Sequence, residues 1–71
     1  MHTRFELKQL VKYGIDFTRE EWMFIDVAVL SDHYPRQKCL DKLTATMEKI
    51  FVSQPYATLS IIEITETEIE V

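Results

Sequence analysis

Most hydrophobic residues of this chain follow a period of two, and residues 21–31 are apolar on both of the faces that this period defines. One face carries only aliphatic or thioether side chains, Met23, Ile25, Val27 and Val29. The other is apolar except for one carboxylate and consists of Trp22, Phe24, Asp26, Ala28 and Leu30. A strand that is apolar on both faces is normally covered on both. The pattern predicts a strand with more apolar surface than a short chain can cover.

Residues 4–17 alternate more regularly. Apolar side chains occupy nearly all odd positions, while Arg4, Glu6, Lys8 and Lys12 occupy even ones and Leu10 is the exception. This pattern is typical of a strand with one face towards a core and one towards water. The odd-numbered apolar set is Phe5, Leu7, Val11, Tyr13, Ile15 and Phe17. Gly14 and Asp16 then suit the turn that leads into the second strand.

Helices remain an alternative for both segments. Thr3 and Glu6 have the spacing of a capping box before residues 4–13, and Thr18 and Glu21 have it before residues 19–31. The density of aromatic and β-branched residues in the second segment favours a strand. A helix there would also be apolar nearly all round, which is unfavourable in a small domain.

Residues 35–53 predict an amphipathic helix. Apolar residues recur there at three- and four-residue steps, which places them on one face. Ser31 or Asp32 could cap the helix, and Pro35 suits its first turn. The helix should end before Gln54 and Pro55. The apolar stripe consists of Leu40, Leu43, Met47, Ile50 and Phe51.

Residues 57–71 read as a third strand that ends in a row of carboxylates. Leu59 and Ile61 begin its odd face, and Glu66, Glu68 and Glu70 follow one another on its even face. These carboxylates match the cations of the first strand, so an antiparallel pair would place Arg4 opposite Glu70 and Lys8 opposite Glu66. Opposite charges across strands contribute roughly 0.2–1 kcal/mol per pair, enough to select a register.

Together these elements predict a small α+β domain of ββαβ order spanning residues 1–71. Its three-stranded antiparallel sheet would have the order 2-1-3, with the helix packed on the odd face of the first strand. The predicted core combines the helix stripe with residues of the first two strands. Those strand residues are Phe5, Leu7, Val11, Met23, Ile25, Val27 and Val29.

In that arrangement the second strand lies at an edge of the sheet. Its other face would remain uncovered, and exposed apolar edges of this kind usually mark an interface. We therefore expect a homodimer or a partner protein to bind at this face. The predicted interface residues are Trp22, Phe24, Asp26, Ala28 and Leu30.

Length and composition narrow the class of protein. The chain has 71 residues, of which 46% are hydrophobic and 28% charged, with one Gly and two Pro. A chain of this size buries only about 60% of the surface that its unfolded form exposes, so a partner would add useful stability. The lone Cys39 and the lack of a signal sequence or long apolar run favour a cytoplasmic protein.

No motif for catalysis, a metal or a cofactor is recognisable. His2, His33 and Cys39 are the residues with the most reactive side chains, and a buried Cys39 beside a solvated loop histidine is the simplest interpretation. The sequence contains no Gly-rich phosphate loop and no nucleophile elbow. We expect no enzyme activity, no cofactor, no small-molecule substrate and no membrane association.

Two charged surfaces offer further hypotheses. The row Glu66, Glu68 and Glu70 has a spacing of about 6.6 Å along one strand face and could imitate the phosphates of a nucleic acid in the binding site of a DNA- or RNA-handling protein. The basic helix residues could instead touch phosphates, although the net charge of −4 disfavours nucleic acid. Those basic residues are Arg36, Lys38, Lys42 and Lys49.

In size, acidity and element order the chain resembles small phage-encoded inhibitors and antitoxins. That resemblance implies a non-enzymatic protein that docks on a partner protein. The alternative is a structural homo-oligomer that associates through the apolar strand 21–31, and a weak nucleic-acid binder comes third.

Overall fold

A computed structural model of the chain describes residues 2–67. The strands form one antiparallel sheet in the order β2-β1-β3, and one helix packs on one of its faces. The predicted α+β domain with its strand order is therefore confirmed, and the alternative helices in the first two segments are wrong. The elements are β1 (His2–Tyr13), β2 (Arg19–Val29), α1 (Arg36–Ser53) and β3 (Thr58–Glu66).

The hairpin turn between β1 and β2 depends on the residues predicted for it. Gly14 has a φ of 102°, in the left-handed region that only glycine adopts without strain. Its carbonyl accepts a hydrogen bond from the Phe17 N–H at 3.3 Å, and Phe17 itself has a φ of 56°. The Thr18 hydroxyl donates to the Asp16 carboxylate at 2.8 Å. Both hydrogen bonds form between residues of the turn itself.

The start of α1 differs from the prediction. Pro35 is the N-cap residue and no side chain caps the helix. The proposed caps Ser31 and Asp32 are wrong because Ser31 pairs with Tyr34 through two backbone hydrogen bonds of 3.1 Å, which close a tight turn before the helix. The proline side chain has no acceptor to offer the first N–H groups of the helix, so α1 starts without a side-chain cap.

The buried core lies between α1 and the odd face of β1. Phe5 is 2% exposed and Leu7 is fully buried, as the alternation predicted. Half-buried side chains of β2, α1, β3 and the segment before the helix pack around this cluster, whereas Val11 of β1 lies outside it. The core is small for the length of the chain. Its buried members are Phe5, Leu7, Ala28, Cys39 and Leu43.

A β-bulge in β2 reverses the faces of that strand. Leu7 pairs with Asp26, but Lys8 pairs with Phe24, so Ile25 is an extra residue. Ile25 packs against the core, and Asp26 contacts helix residue Thr46, so two consecutive side chains face α1. A bulge of this kind disrupts the alternation locally.

The reversal corrects the predicted core. Ala28 is 3% exposed and Leu30 packs against the core, although both were expected on the uncovered face. Val27 and Val29 lie instead on the face away from the helix, because they oppose Glu6 and Arg4. Met23 remains 48% exposed. Of the four core residues predicted in β2, Ile25 alone packs against the buried cluster.

The register between β1 and β3 also differs from the prediction. Arg4 lies opposite Ile64, six residues before Glu70, and Lys8 lies opposite Ser60. This register places Leu59 and Ile61 against the core on the helix side. Burying aliphatic side chains contributes about 1.5–3 kcal/mol each, which outweighs the charge pairs used to choose the register.

The molecule is flat and extended. Its radius of gyration is 14.9 Å and its principal extents are 46 × 33 × 10 Å, whereas a compact domain of this length has a radius of about 11 Å. The pairing of β1 with β3 stops at Leu10, so the hairpin continues as a two-stranded arm over residues 11–21. An isolated two-stranded ribbon is at best marginally stable in water, which makes this arm a natural site for stabilising contacts.

Leu43 tests the assignment of the core. We expect Leu43→Ala to lower the free energy of unfolding by about 2–5 kcal/mol, because the side chain is fully buried between α1 and the sheet. Chemical denaturation followed by circular dichroism measures this difference. Val52→Ala is the matched control on the same helix, since Val52 is 86% exposed and its truncation should change stability by less than about 0.5 kcal/mol. Equal effects of the two substitutions would contradict this core.

Candidate interaction surface

The sheet face opposite α1, which we call the open face, carries a broad set of apolar side chains. No described element covers this face. Residues directly opposite one another in neighbouring strands point to the same side, so the register defines its members. Most of its charged residues lie on β1, in the middle, with Glu20 and Glu66 near the ends of β2 and β3, and apolar residues flank them on those two strands. The apolar members are Leu10, Trp22, Phe24, Val27, Val29, Ile62 and Ile64.

Three of these side chains lie largely in solvent. Trp22 is 46%, Phe24 54% and Val29 58% exposed, all on β2. Monomeric proteins seldom expose contiguous apolar surface of this kind, and larger patches usually mark interaction sites. Trp is also among the residues that contribute most to binding at protein interfaces. The β2 side of the open face is therefore the best candidate for an interface.

A row of ionic side chains on β1 crosses the open face. The guanidinium of Arg4 donates to Glu6 and to Glu66, each at 2.7 Å, and the Lys8 ammonium lies 3.8 Å from Glu6. The Glu6 side chain is only 13% exposed. Because Arg4 lies between two carboxylates, these hydrogen bonds raise its pKa above the usual value. The row keeps the centre of the face polar while its β2 side stays apolar.

The structure separates the five residues that the sequence placed at an interface. Trp22 and Phe24 lie on the open face, whereas Ala28 is in the core and Leu30 packs against it. Asp26 points towards α1. The prediction that all five share one uncovered face is wrong because of the bulge, and the interface role of Trp22 and Phe24 stays a prediction.

Several members of the open face were missed by sequence reasoning. An unbroken alternation places Val27 and Val29 in the core, whereas the bulge places them on the open face. Leu10, Ile62 and Ile64 had a visible signal, since each is apolar on the otherwise polar even face of its strand. Those exceptions to the alternation meet on the open face.

Asp26 and Lys42 close part of the outer edge of β2. The Val27 N–H donates to the Asp26 carboxylate at 2.8 Å, and the Val27 carbonyl accepts from the Lys42 ammonium at 2.7 Å. The Thr46 hydroxyl donates to the same carboxylate at 3.4 Å. Side chains that occupy edge groups in this way prevent pairing with another strand. Continuous strand pairing along residues 21–31 is therefore disfavoured.

The predicted charged surfaces are only partly present as expected. Glu66 is on β3 and bonds Arg4, whereas Glu68 and Glu70 lie outside the described residues. On α1, Lys38 and Lys49 are exposed. Arg36 instead bonds Glu63 and lies 5.2 Å from the Phe5 ring centroid, and hydrogen bonding to that carboxylate raises its pKa. Arg36 and Lys42 are thus already engaged within the fold.

The described residues offer few groups for chemistry. Cys39 is buried, and its thiol lies 3.6 Å from the Tyr34 carbonyl, while His33 is exposed in the preceding loop. Between residues 2 and 67, no three His, Cys, Asp or Glu side chains are arranged to hold a metal ion. Over the same range, the helix lacks the length and apolar character needed to cross a bilayer.

Comparison of the chain with known protein families, with curated proteins and with solved structures gave no match.

The ion pair between Arg4 and Glu66 gives a testable pH dependence. Hydrogen bonding from Arg4 lowers the pKa of Glu66, which therefore binds its proton less readily in the folded than in the unfolded state. Its stabilising contribution is present above the unfolded-state pKa and is lost as pH falls through the lowered folded-state pKa. NMR titration of the side-chain carboxyl carbon should give a Glu66 pKa that rises towards the usual value in Arg4→Gln. An unchanged Glu66 pKa in that variant would contradict this pair.

Proposed function

We propose that this chain is a non-enzymatic protein-binding domain that docks on another protein through the β2 side of its open face. The observation that carries the proposal is the contiguous exposure of Trp22, Phe24 and Val29 on a sheet face that no described element covers. When a partner covers these apolar side chains, each Å² of apolar surface that is buried stabilises the complex by about 25 cal/mol.

The extended shape supports the same proposal. A radius of gyration of 14.9 Å leaves much of the chain in contact with solvent, and no third strand among the described residues supports the hairpin arm. Tyr13 and Met23, which are 44% and 48% exposed, flank a shallow apolar hollow on the helix side of the arm. A partner that grips the arm could thus contact apolar groups on both of its faces.

Action by docking is how small inhibitors and antitoxins work, and this is the class that we propose. The unpaired Cys39 is consistent with action in the reducing cytoplasm. Association through strand pairing along residues 21–31 is a weaker alternative, because Asp26 and Lys42 occupy the backbone groups of Val27. Nucleic-acid binding is weaker still, because Arg36 and Lys42 are engaged and the net charge is −4.

A binding experiment with charge-matched variants tests the proposal. The wild-type chain, immobilised in an extract of the cells that contain it, should retain a dominant foreign protein. The double variant Trp22→Lys with Phe24→Lys should weaken the affinity for that protein by roughly 100-fold or more, since buried aromatic anchors contribute about 2 kcal/mol each. Mass spectrometry identifies the retained protein, and calorimetry measures its affinity.

The control adds the same two charges elsewhere. Val52→Lys with Tyr56→Lys alters side chains that are 86% and 98% exposed at the end of α1 and after it, and should leave the affinity unchanged. Retention of the chain's own copies alone would contradict the proposal. Equal binding by the two double variants would contradict the assignment to the open face.

A further inference from the structure

The outer edge of β3 is a strand edge with unused backbone groups. The Leu30 N–H donates to the Thr3 carbonyl, so the backbone groups of Thr3 point to β2. Those of Arg4 therefore point to β3, where they meet Ile64. By alternation, every second residue of β3 directs its N–H and carbonyl away from the sheet. These outward residues are Leu59, Ile61, Glu63 and Thr65.

The two sheet edges differ in how they are protected. On β2 the Asp26 and Lys42 side chains occupy the backbone of Val27. On β3 no side chain between residues 2 and 67 bonds the outward backbone groups, and the one hydrogen bond from α1 goes to the side chain of Glu63. Natural sheets normally block, charge or cover such edges. The open edge of β3 is therefore suited to receive another strand.

We propose that a second copy of this chain occupies the edge, so that β3 pairs antiparallel with β3 of its partner about a two-fold axis at Ile62. This residue is the midpoint of Thr58–Glu66, so every residue of the strand finds a partner. The outward residues then form the hydrogen-bonded pairs, Leu59 with Thr65 and Ile61 with Glu63. This pairing matches the direction in which their backbone groups point.

Charge and strand length together select this register over its neighbours. With the axis at Ile62, Glu63 faces Ile61 and Glu66 faces Thr58, so no carboxylate opposes another. An axis at Glu63 would place two glutamates directly opposite each other, which is destabilising. An axis at Ile61 would leave Thr65 and Glu66 facing residues beyond the end of β3. The axis at Ile62 is thus the one of the three that pairs the full strand without opposing two carboxylates.

The dimer would join the two sheets into one, with three strands from each copy. Ile62 of each copy would meet on the open face, next to Ile64 and Ser60. The interface proposed for a foreign protein, around Trp22 and Phe24, lies at the opposite edge of the sheet and remains free. Self-association through β3 and docking through β2 are therefore independent.

Complementary charges at the two-fold axis give a specific test. Ile62→Lys and Ile62→Glu each place like charges opposite one another, and each should raise the dimer dissociation constant by roughly ten-fold or more. An equimolar mixture of the two variants should restore the dimer, because a lysine then opposes a glutamate. Size exclusion with light scattering distinguishes the dimer from the 8.4 kDa chain.

Val29→Lys and Val29→Glu serve as matched controls on the same face. Val29 is 58% exposed on β2, away from the axis, so these variants should dimerise as the wild type does and their mixture should show no gain. Loss of the dimer in the Val29 variants would overturn the proposal in favour of association through the open face. A wild-type chain that stays monomeric at about 100 μM would overturn it as well.

Amide hydrogen exchange provides a test that needs no variant. The Ile61 and Glu63 amides should exchange slowly in the dimer and become faster on dilution, because their N–H groups are released when the strands separate. Fast exchange of these amides in a concentrated wild-type sample would overturn the proposal. So would slow exchange that is independent of concentration, since the amides would then be protected within one copy.

Discussion

The bulge opposite Leu7 is the feature on which the rest of this structure depends. By inserting Ile25, β2 turns Ala28 and Leu30 towards the helix and leaves Phe24 and Trp22 on the open face. Without the extra residue, the alternation of β2 would continue unbroken. Phe5 would then lie opposite Val27 and not opposite Ala28. A single extra residue thus decides which apolar side chains fill the core and which remain in water.

The same bulge organises the edge of the sheet. It directs Asp26 towards α1, where its carboxylate lies within reach of Thr46 and Lys42 and also accepts from the Val27 N–H. One edge is thereby protected from strand pairing while its face stays apolar, whereas no side chain of residues 2–67 protects the edge at β3 in this way. This asymmetry separates the two modes of association that we propose, face docking at β2 and strand pairing at β3. Because the core is small, burying further surface in either mode would add to the stability of the fold.

The sequence predicted the elements, the helix-covered face of β1 and the strand order, because each follows from a strong periodicity or from charge. It did not predict the register of β3, because burying Leu59 and Ile61 stabilises the fold more than the charge pairs from which that register was predicted. It also did not predict the faces of β2 beyond the bulge, since a bulge has no periodic signal. Asp26 is the residue that indicates the irregularity. The alternation places this lone carboxylate on a solvent face, but it accepts hydrogen bonds from the Val27 backbone and from Thr46 of the helix.

Thiol labelling along β2 tests the reversal of faces most directly. Cysteine is introduced singly by Phe24→Cys, Ala28→Cys or Val29→Cys, with the wild type as background because Cys39 is buried. The account predicts rapid labelling at positions 24 and 29 and protection at position 28, where the native side chain is 3% exposed. An unbroken alternation, with positions 24 and 28 reacting alike and position 29 protected, would contradict it.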